Sequence, residues 1–352
     1  MSKWRMAMGG LITLLLSGCQ SAAYFGHLGK GQWQMLSQRQ SVSKLLANPH
    51  TPPKLNERLM ALQEIRTFAA SLGLPADKQF DTYVDIRRPY ALWSVAATPE
   101  LSLQAKSWCY WVVGCLAYRN YFNESLANDF AAQLQAQGYD THIGKVAAYS
   151  TLGWFRDSLL SSQLERRAPD LAELVFHELA HQVVYAKDDP VFNESFAEVV
   201  AHESLRRYLV GRPDDLDAVL KRLERQHQFA EMVQQYRQQL NALYQSSLSA
   251  EQKRSGKQQT LDSLRHAYQQ LKTSQWSGFA GYDGWFAGVN NARINSVSVY
   301  HDLVPALDAL LASTGNDLPA FFAKCKAMEK LPKAERYRIL NYSRSQVELL
   351  HD

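Results

Sequence analysis

His177 and His181 lie four residues apart inside an apolar run, LVFHELAHQVVY, and that spacing leaves the chain little choice of local structure. Leu171, Leu174, Val175, Leu179 and Val183 recur near helical spacing. Pro169 suits a first helical turn, and Asp170 and Glu173 favour its positive end. On a helix the two imidazoles project from one face, where together they can grip one divalent ion. Glu178 sits beside the first of them, able to take a proton from a water that the ion polarises. The opposing reading is a helix with two ordinary histidines and a surface glutamate. The apolar flanks speak against it, because they bury the segment and a buried polar group needs a partner.

A third ligand is at hand. Asp189-Pro190 reads as an N-cap followed by a first helical residue, so a second helix runs from about Val191. Asn193 and Glu194 fall in its first turn. Glu194 can close a His-His-Glu set and leave a fourth position for water. Two nitrogens and one oxygen make a single Zn2+ the expected ion. Glu198 is i+4 from Glu194 and can accept the free N–H of a ligand histidine.

His177, Glu178, His181 and the NESFAE run resemble the thermolysin and aminopeptidase N group of zinc peptidases, the gluzincins. In that group the Glu of a downstream Asn-Glu pair is the third ligand, and an acidic residue four further on supports a ligand histidine. The match falls on Asn193, Glu194 and Glu198. The chain departs from the pattern in its linker, with 12 residues between His181 and Glu194, shorter than is usual there. A longer likeness runs through TYVDIRRPYALWSVAA, WCYWVVGCLAYRNYF, AYSTLGWF, FHELAHQ, FNESFAE and NNARINSVSVY. These resemble a bacterial family of predicted zinc aminopeptidases, mostly lipoproteins. The resemblance implies an α+β, mainly helical fold: a zincin-like metallopeptidase domain with a small mixed sheet and an added helical hairpin.

The chain divides accordingly. Residues 1–18 read as a lipoprotein signal peptide, 19–75 as a helical segment and 76–212 as the zincin-like core. Residues 213–274 read as a helical hairpin, and 275–352 as a cleft loop followed by helices. Lys3 and Arg5 precede an apolar stretch, Met6 to Leu16, too short to span a bilayer. Leu16-Ser17-Gly18-Cys19 then resembles a lipobox, in which the Cys19 thiol is acylated. Each buried CH₂ of such chains contributes about 0.8 kcal/mol to membrane binding. Gln20, rather than Asp, after the cysteine directs the protein by analogy to the outer membrane, facing the periplasm. The net charge of +4 is dispersed, which gives no footprint for nucleic acid.

Residues 20–75 carry two helical patterns separated by Pro52-Pro53. From Phe80 to Tyr121, aromatic and β-branched runs predict strands. Cys109 and Cys115 lie in the last of these. A local disulfide is expected in an oxidising periplasm, against the alternative of two free buried thiols, and Cys325 is left as a core thiol. A helix is expected over 123–137 with a turn at Gly138-Tyr139. AAYSTLGW, at 147–154, fits the cleft-edge strand that such peptidases use to pair with substrate, with Tyr149, Ser150 and Gly153 as candidate contacts. Asp214 to Thr273 reads as helix, turn and helix, broken at SSLSAEQKRSGK. Gly281 to Tyr300 reads as a loop walling the cleft, where Asn290, Asn291 and Arg293 would hold a peptide backbone. Tyr300, with His301 as runner-up, would donate to the oxyanion.

The expected activity is zinc-dependent hydrolysis of peptide bonds by water, with Glu178 as general base. The family points to an aminopeptidase acting on a peptide substrate. Exopeptidase action needs an acid to capture the free amine, and Glu124, Asp157 and Asp283 are equally eligible. Two alternatives stay open: an endopeptidase with the same site, and a zinc-containing envelope lipoprotein that binds peptides or a partner without cleaving them.

Overall fold

The computed structural model describes residues 24–341 apart from 78, 111–113, 148–157, 188 and 299–302. Residues 1–18, expected as a signal peptide, and Cys19 lie outside the described residues, as do Tyr149, Ser150, Gly153, Asp157, Tyr300 and His301. Among the described residues no helix is long and apolar enough to cross a membrane.

The chain opens in a helix, 24–37 (α1). A two-residue strand, Gln40–Ser41 (β1), interrupts the single helix that the periodicity suggests before α2 (Val42–Ala47). The Ser41 side chain accepts from the Lys44 N–H and so starts α2, while β1 pairs with Thr82–Val84 (β2). Pro53–Ser71 (α3) follows Pro52, and its Leu59, Leu62, Ile65 and Ala69 are all buried. The next strands are Leu92–Pro99 (β3), Trp108–Tyr110 (β4), Gly114–Leu116 (β5) and Tyr118–Tyr121 (β6). The run read as one strand from 108 to 122 is therefore three. β4 and β5 pair with Cys109 directly opposite Cys115, and a disulfide joins them. Asn123 caps Glu124–Ala136 (α4), and Gly138, at φ +85°, turns the chain into Tyr139–Val146 (β7).

The single small mixed sheet of the expectation is distributed over three small sheets among the described residues. One is mixed: β1 and β2 run antiparallel, and β2 runs parallel to Leu159–Leu160 (β8). The second is antiparallel in the order β6-β3-β7, and the third is the disulfide-bridged β4-β5 pair.

After the short Ser161–Leu164 helix (α5) come Ala168–Ala180 (α6) and Pro190–Tyr208 (α7), the two helices that carry the histidines and Glu194. Their inner faces, with Val175, Phe176, Leu179, Phe192, Phe196 and Val200, lie in one core with α3 and the C-terminal helices. Those helices are Val304–Ala312 (α12), Leu318–Glu329 (α13) and Lys333–Ile339 (α14). Phe196 stacks on Phe321 of α13, with centroids 5.6 Å apart. Each such side chain contributes about 1.5–3 kcal/mol by burial. Cys325, fully buried in the same core, is a free thiol.

A second core belongs to the hairpin of Pro213–Gln245 (α8) and Ala250–Ser274 (α9), covered by Asp283–Ala287 (α10) and Asn291–Ser298 (α11). The break between α8 and α9 is much shorter than SSLSAEQKRSGK suggests, because Ser249 and Gln252 form a capping box that starts α9 at Ala250. Ser249→Ala is expected to cost about 1 kcal/mol, read as a lower urea midpoint at unchanged slope. The stretch from Gly281 reads as loop in sequence but carries α10 and α11, because its aromatic residues pack on α8 and α9: Phe229 stacks on Tyr282, and Tyr268 on Phe286.

Candidate metal centre

α6 keeps Asp170, Glu173, His177 and Glu178 partly exposed along one polar edge, while Leu171, Ala172, Val175, Phe176, Leu179 and Ala180 are all buried. The helix ends sooner than its sequence pattern suggests, with His181 as its C-cap rather than Val183 inside it. Val183 N–H turns back to the Ala180 carbonyl, and Val184 and Ala186 drop into the core. The chain then reverses over a few residues. Asn193 holds that reversal: its Oδ1 accepts from the Ala186 N–H at 2.7 Å, and its Nδ2 donates to the Ala186 carbonyl at 2.9 Å. One side chain thus satisfies both main-chain groups of a buried loop residue, and the short linker suffices for that reason.

Asp189 starts α7 by accepting from the Phe192 N–H, and Pro190 occupies the first turn. Asp189 is fully buried and is held in turn by α14. Arg336 Nε donates to its Oδ2 at 3.0 Å, and the Tyr337 hydroxyl donates to its Oδ1 at 3.1 Å. With both ends of the reversal fixed, Glu194 comes back over the α6 histidines.

His177 Nε2 and His181 Nε2 are 3.2 Å apart. Glu194 Oε2 is 3.3 Å from His177 Nε2, and Glu194 Oε1 is 3.6 Å from His181 Nε2. All three donor groups lie within 4.8 Å of one another, the one such cluster among the described residues. Zinc bonds of 2.0–2.2 Å in a tetrahedron would separate neighbouring donors by about 3.3–3.5 Å. The two imidazole nitrogens stand close to one such edge, and Glu194 presents a different oxygen to each of them at similar spacing, so the donor set fits a single zinc ion. The side chains are 27%, 13% and 31% exposed for His177, His181 and Glu194 respectively, so the cluster is open on one side.

The charges are unequal. Burial depresses the His177 pKa, but the carboxylates of Glu194, Glu178 and Glu198 outweigh it and leave the ring more basic than usual. Burial, with the neighbouring His177, lowers His181 to about 4. His181 Nδ1 is buried with no hydrogen-bond partner among the described residues. Glu178 is half-buried, close enough for its charge to act on His177. Glu198 also acts on His177 through its charge, and it pairs with His202 at 3.8 Å. His202 in turn faces Glu173 at 3.5 Å, and Arg222 of α8 donates to Glu173 at 2.6 Å. This relay ties α6, α7 and α8 together one turn below the histidines.

Asn290, Asn291 and Arg293, expected as substrate contacts, are engaged within the chain itself. Asn291 is fully buried; its Nδ2 donates to the carbonyls of Pro99, Glu100 and Ser102, and its Oδ1 accepts from Tyr244. Asn290 Nδ2 donates to the Thr141 carbonyl, and Arg293 Nη1 to those of Gly284 and Trp285. Their donors are engaged by the chain's own main chain, joining α11 to β3, β7 and α10. Of the acids considered for amine capture, Asp283 is bound by Lys272 at 2.7 Å and also accepts from Tyr268, and Glu124 is exposed at the start of α4.

Tyr118 escaped notice in the sequence. Partial burial raises its pKa although the residue is 40% exposed, and the charges of Glu194 and Tyr185 act in the same direction, so its phenol is within electrostatic reach of the centre. Only strand pairing, not local spacing, could have revealed it.

Neither a curated protein nor a solved structure matches the chain. A family model described as "Putative aminopeptidase" matches residues 23–340. The chain belongs to that family, whose description is that of a peptidase.

Proposed function

We propose that the chain is a zinc-dependent aminopeptidase, with His177, His181 and Glu194 holding one zinc ion and Glu178 as general base. The reading rests on one observation: two imidazole nitrogens and a carboxylate, drawn from two helices, converge within 4.8 Å of one another and stay partly exposed. Bound zinc would lower the pKa of a water from about 15.7 toward about 7 and polarise the scissile carbonyl. The Glu178 carboxylate takes the proton from the attacking water and delivers it to the leaving amine nitrogen. Glu194 supplies the one negative charge of the donor set, and Glu198 supports His177 electrostatically. Tyr300 is our proposed donor to the oxyanion, with Tyr149, Ser150 and Gly153 along the peptide. Because water attacks, no serine or cysteine nucleophile is required.

We further propose that the protein is tethered through lipidated Cys19 to the outer membrane and faces the periplasm. The lipobox-like Leu16 to Cys19 supports this, and an exposed Cys109–Cys115 disulfide suits an oxidising compartment.

The test is metal content beside cleavage. The purified chain should hold one zinc, and zinc at a hundredfold over its Kd should add about 2.7 kcal/mol of stability. His177→Ala and Glu194→Ala should each lose the stoichiometric zinc and that stabilisation. Stoichiometric zinc in both variants would mean that other residues hold the ion. Chelator should abolish cleavage of unblocked peptides by the wild type. Equal cleavage of N-blocked peptides would make the enzyme an endopeptidase instead.

A further inference from the structure

A cavity of about 1090 Å³ lies between α7, α8, α11 and α12, and Glu198 and His202 form part of its wall. Glu198 is one helical turn past Glu194 on the same face of α7, about 6 Å along the axis. The cavity wall thus starts one turn of α7 from the metal cluster. Its size is at the upper end of sites for drug-sized ligands, about 300–1,000 Å³, and exceeds what one side chain needs.

The charges on its wall differ in one respect. Each cation already has a partner: Arg206 pairs with Glu203, Lys221 with Asp217, Arg225 lies over the Phe279 ring, and Arg237 is also engaged. Three acids are engaged too. Glu198 faces His202, Glu224 accepts from Gln228, and Glu231 faces His227. Asp308 of α12 is the exception, solvent-accessible on the cavity wall with neither hydrogen bond nor ion pair among the described residues. It is within electrostatic reach of Glu198 and Glu203, and of His202 and Arg206. The wall offers one uncommitted negative group and no uncommitted positive one.

Building on the peptidase reading, we propose that this cavity receives the amino-terminal segment of a peptide, with Asp308 accepting the hydrogen bonds of its free ammonium group. An extended chain advances about 3.3 Å per residue. The distance from Glu194 to Glu198 corresponds to about two residues of such a chain, so an ammonium held beyond Glu198 implies release of a short amino-terminal peptide in place of a single residue. Peptides with a free amino terminus and several residues are the substrate class, and single amino-acid amides are expected to be poor substrates.

The test is binding without turnover. In the Glu178→Gln protein, calorimetry compares tetra-alanine with N-acetyl tetra-alanine. The free peptide should bind at least tenfold more tightly. Asp308→Asn on the same background should reduce that preference to about one, and Asp308→Glu should restore part of it. Equal binding of the two peptides, binding of neither at millimolar concentration, or an undiminished preference in Asp308→Asn would each overturn the assignment. An unshifted melting temperature shows that the Asn variant is folded, as expected for a side chain without partners. An Asp308-dependent preference in a protein that cleaves nothing would leave this inference standing and remove the hydrolase. Cleavage of free and acetylated peptides alike, unchanged by Asp308→Asn, would do the reverse.

Discussion

Glu178→Gln is expected to keep one zinc per chain and to lose about 10²–10⁴-fold in kcat, equivalent to about 2.7–5.5 kcal/mol of transition-state stabilisation. The substitution preserves shape but removes the charge and the ability to accept a proton, and it replaces one acceptor oxygen by an N–H donor. Glu178 is not one of the three donors that converge, so the ion should stay. An interaction made only in the transition state lowers kcat and kcat/KM together and leaves KM nearly unchanged. A rise in KM at constant kcat would show that Glu178 binds substrate and does not move the proton. Loss of zinc from this variant would show that it belongs to the donor set. Wild-type turnover would end the general-base assignment altogether.

The chemistry of the centre was legible because it is local. The i, i+4 spacing fixes His177 and His181 on one helical face, and Asp189-Pro190 announces the start of the next helix. What local spacing could not give is the means by which a short linker brings Glu194 back. That depends on Asn193 reaching the main chain of Ala186 and on a helix nearly 150 residues further on. The same limit hid the internal bonds of Asn290, Asn291 and Arg293. A cluster of asparagines near a cleft looks like a peptide clamp, and here it clamps peptide groups of its own chain. Tyr118 and Asp308 were invisible for the complementary reason. Neither has a motif around it, and each acquires meaning only from what lies across from it. The hairpin of α8 and α9 was clear from its periodicity, as was the end of α8, but the start of α9 was not. That start is set by the Ser249–Gln252 capping box, a two-residue signal inside a polar stretch.

Arg336→Met is expected to destabilise the protein by about 3–5 kcal/mol, as breaking a buried ion pair does when one charge is left behind. Asp189 is fully buried and Arg336 is 3% exposed. Without the guanidinium, Asp189 keeps the Tyr337 hydroxyl and the Phe192 N–H, and Lys333 Nζ stands off at 4.0 Å. Arg336 also donates to the carbonyls of Glu329 and Leu331, which would lose their partner. The double variant Asp189→Asn/Arg336→Met separates these effects. Asparagine serves as well as aspartate at an N-cap and buries no charge. The pair should therefore recover part of the loss, with a coupling energy outside the 0.3–0.5 kcal/mol or so within which independent sites add. Strict additivity would mean that the charge pair is not what holds α14 to α7. Zinc provides the second measurement. If the ion pair only stabilises the fold, folded Arg336→Met should bind zinc as the wild type does. If it also sets the first turn of α7, and with it Glu194, affinity should fall about 10–100-fold, the usual range for residues that orient ligands. We expect the fall, because Asp189 both caps that turn and receives Arg336, so the two roles share one carboxylate.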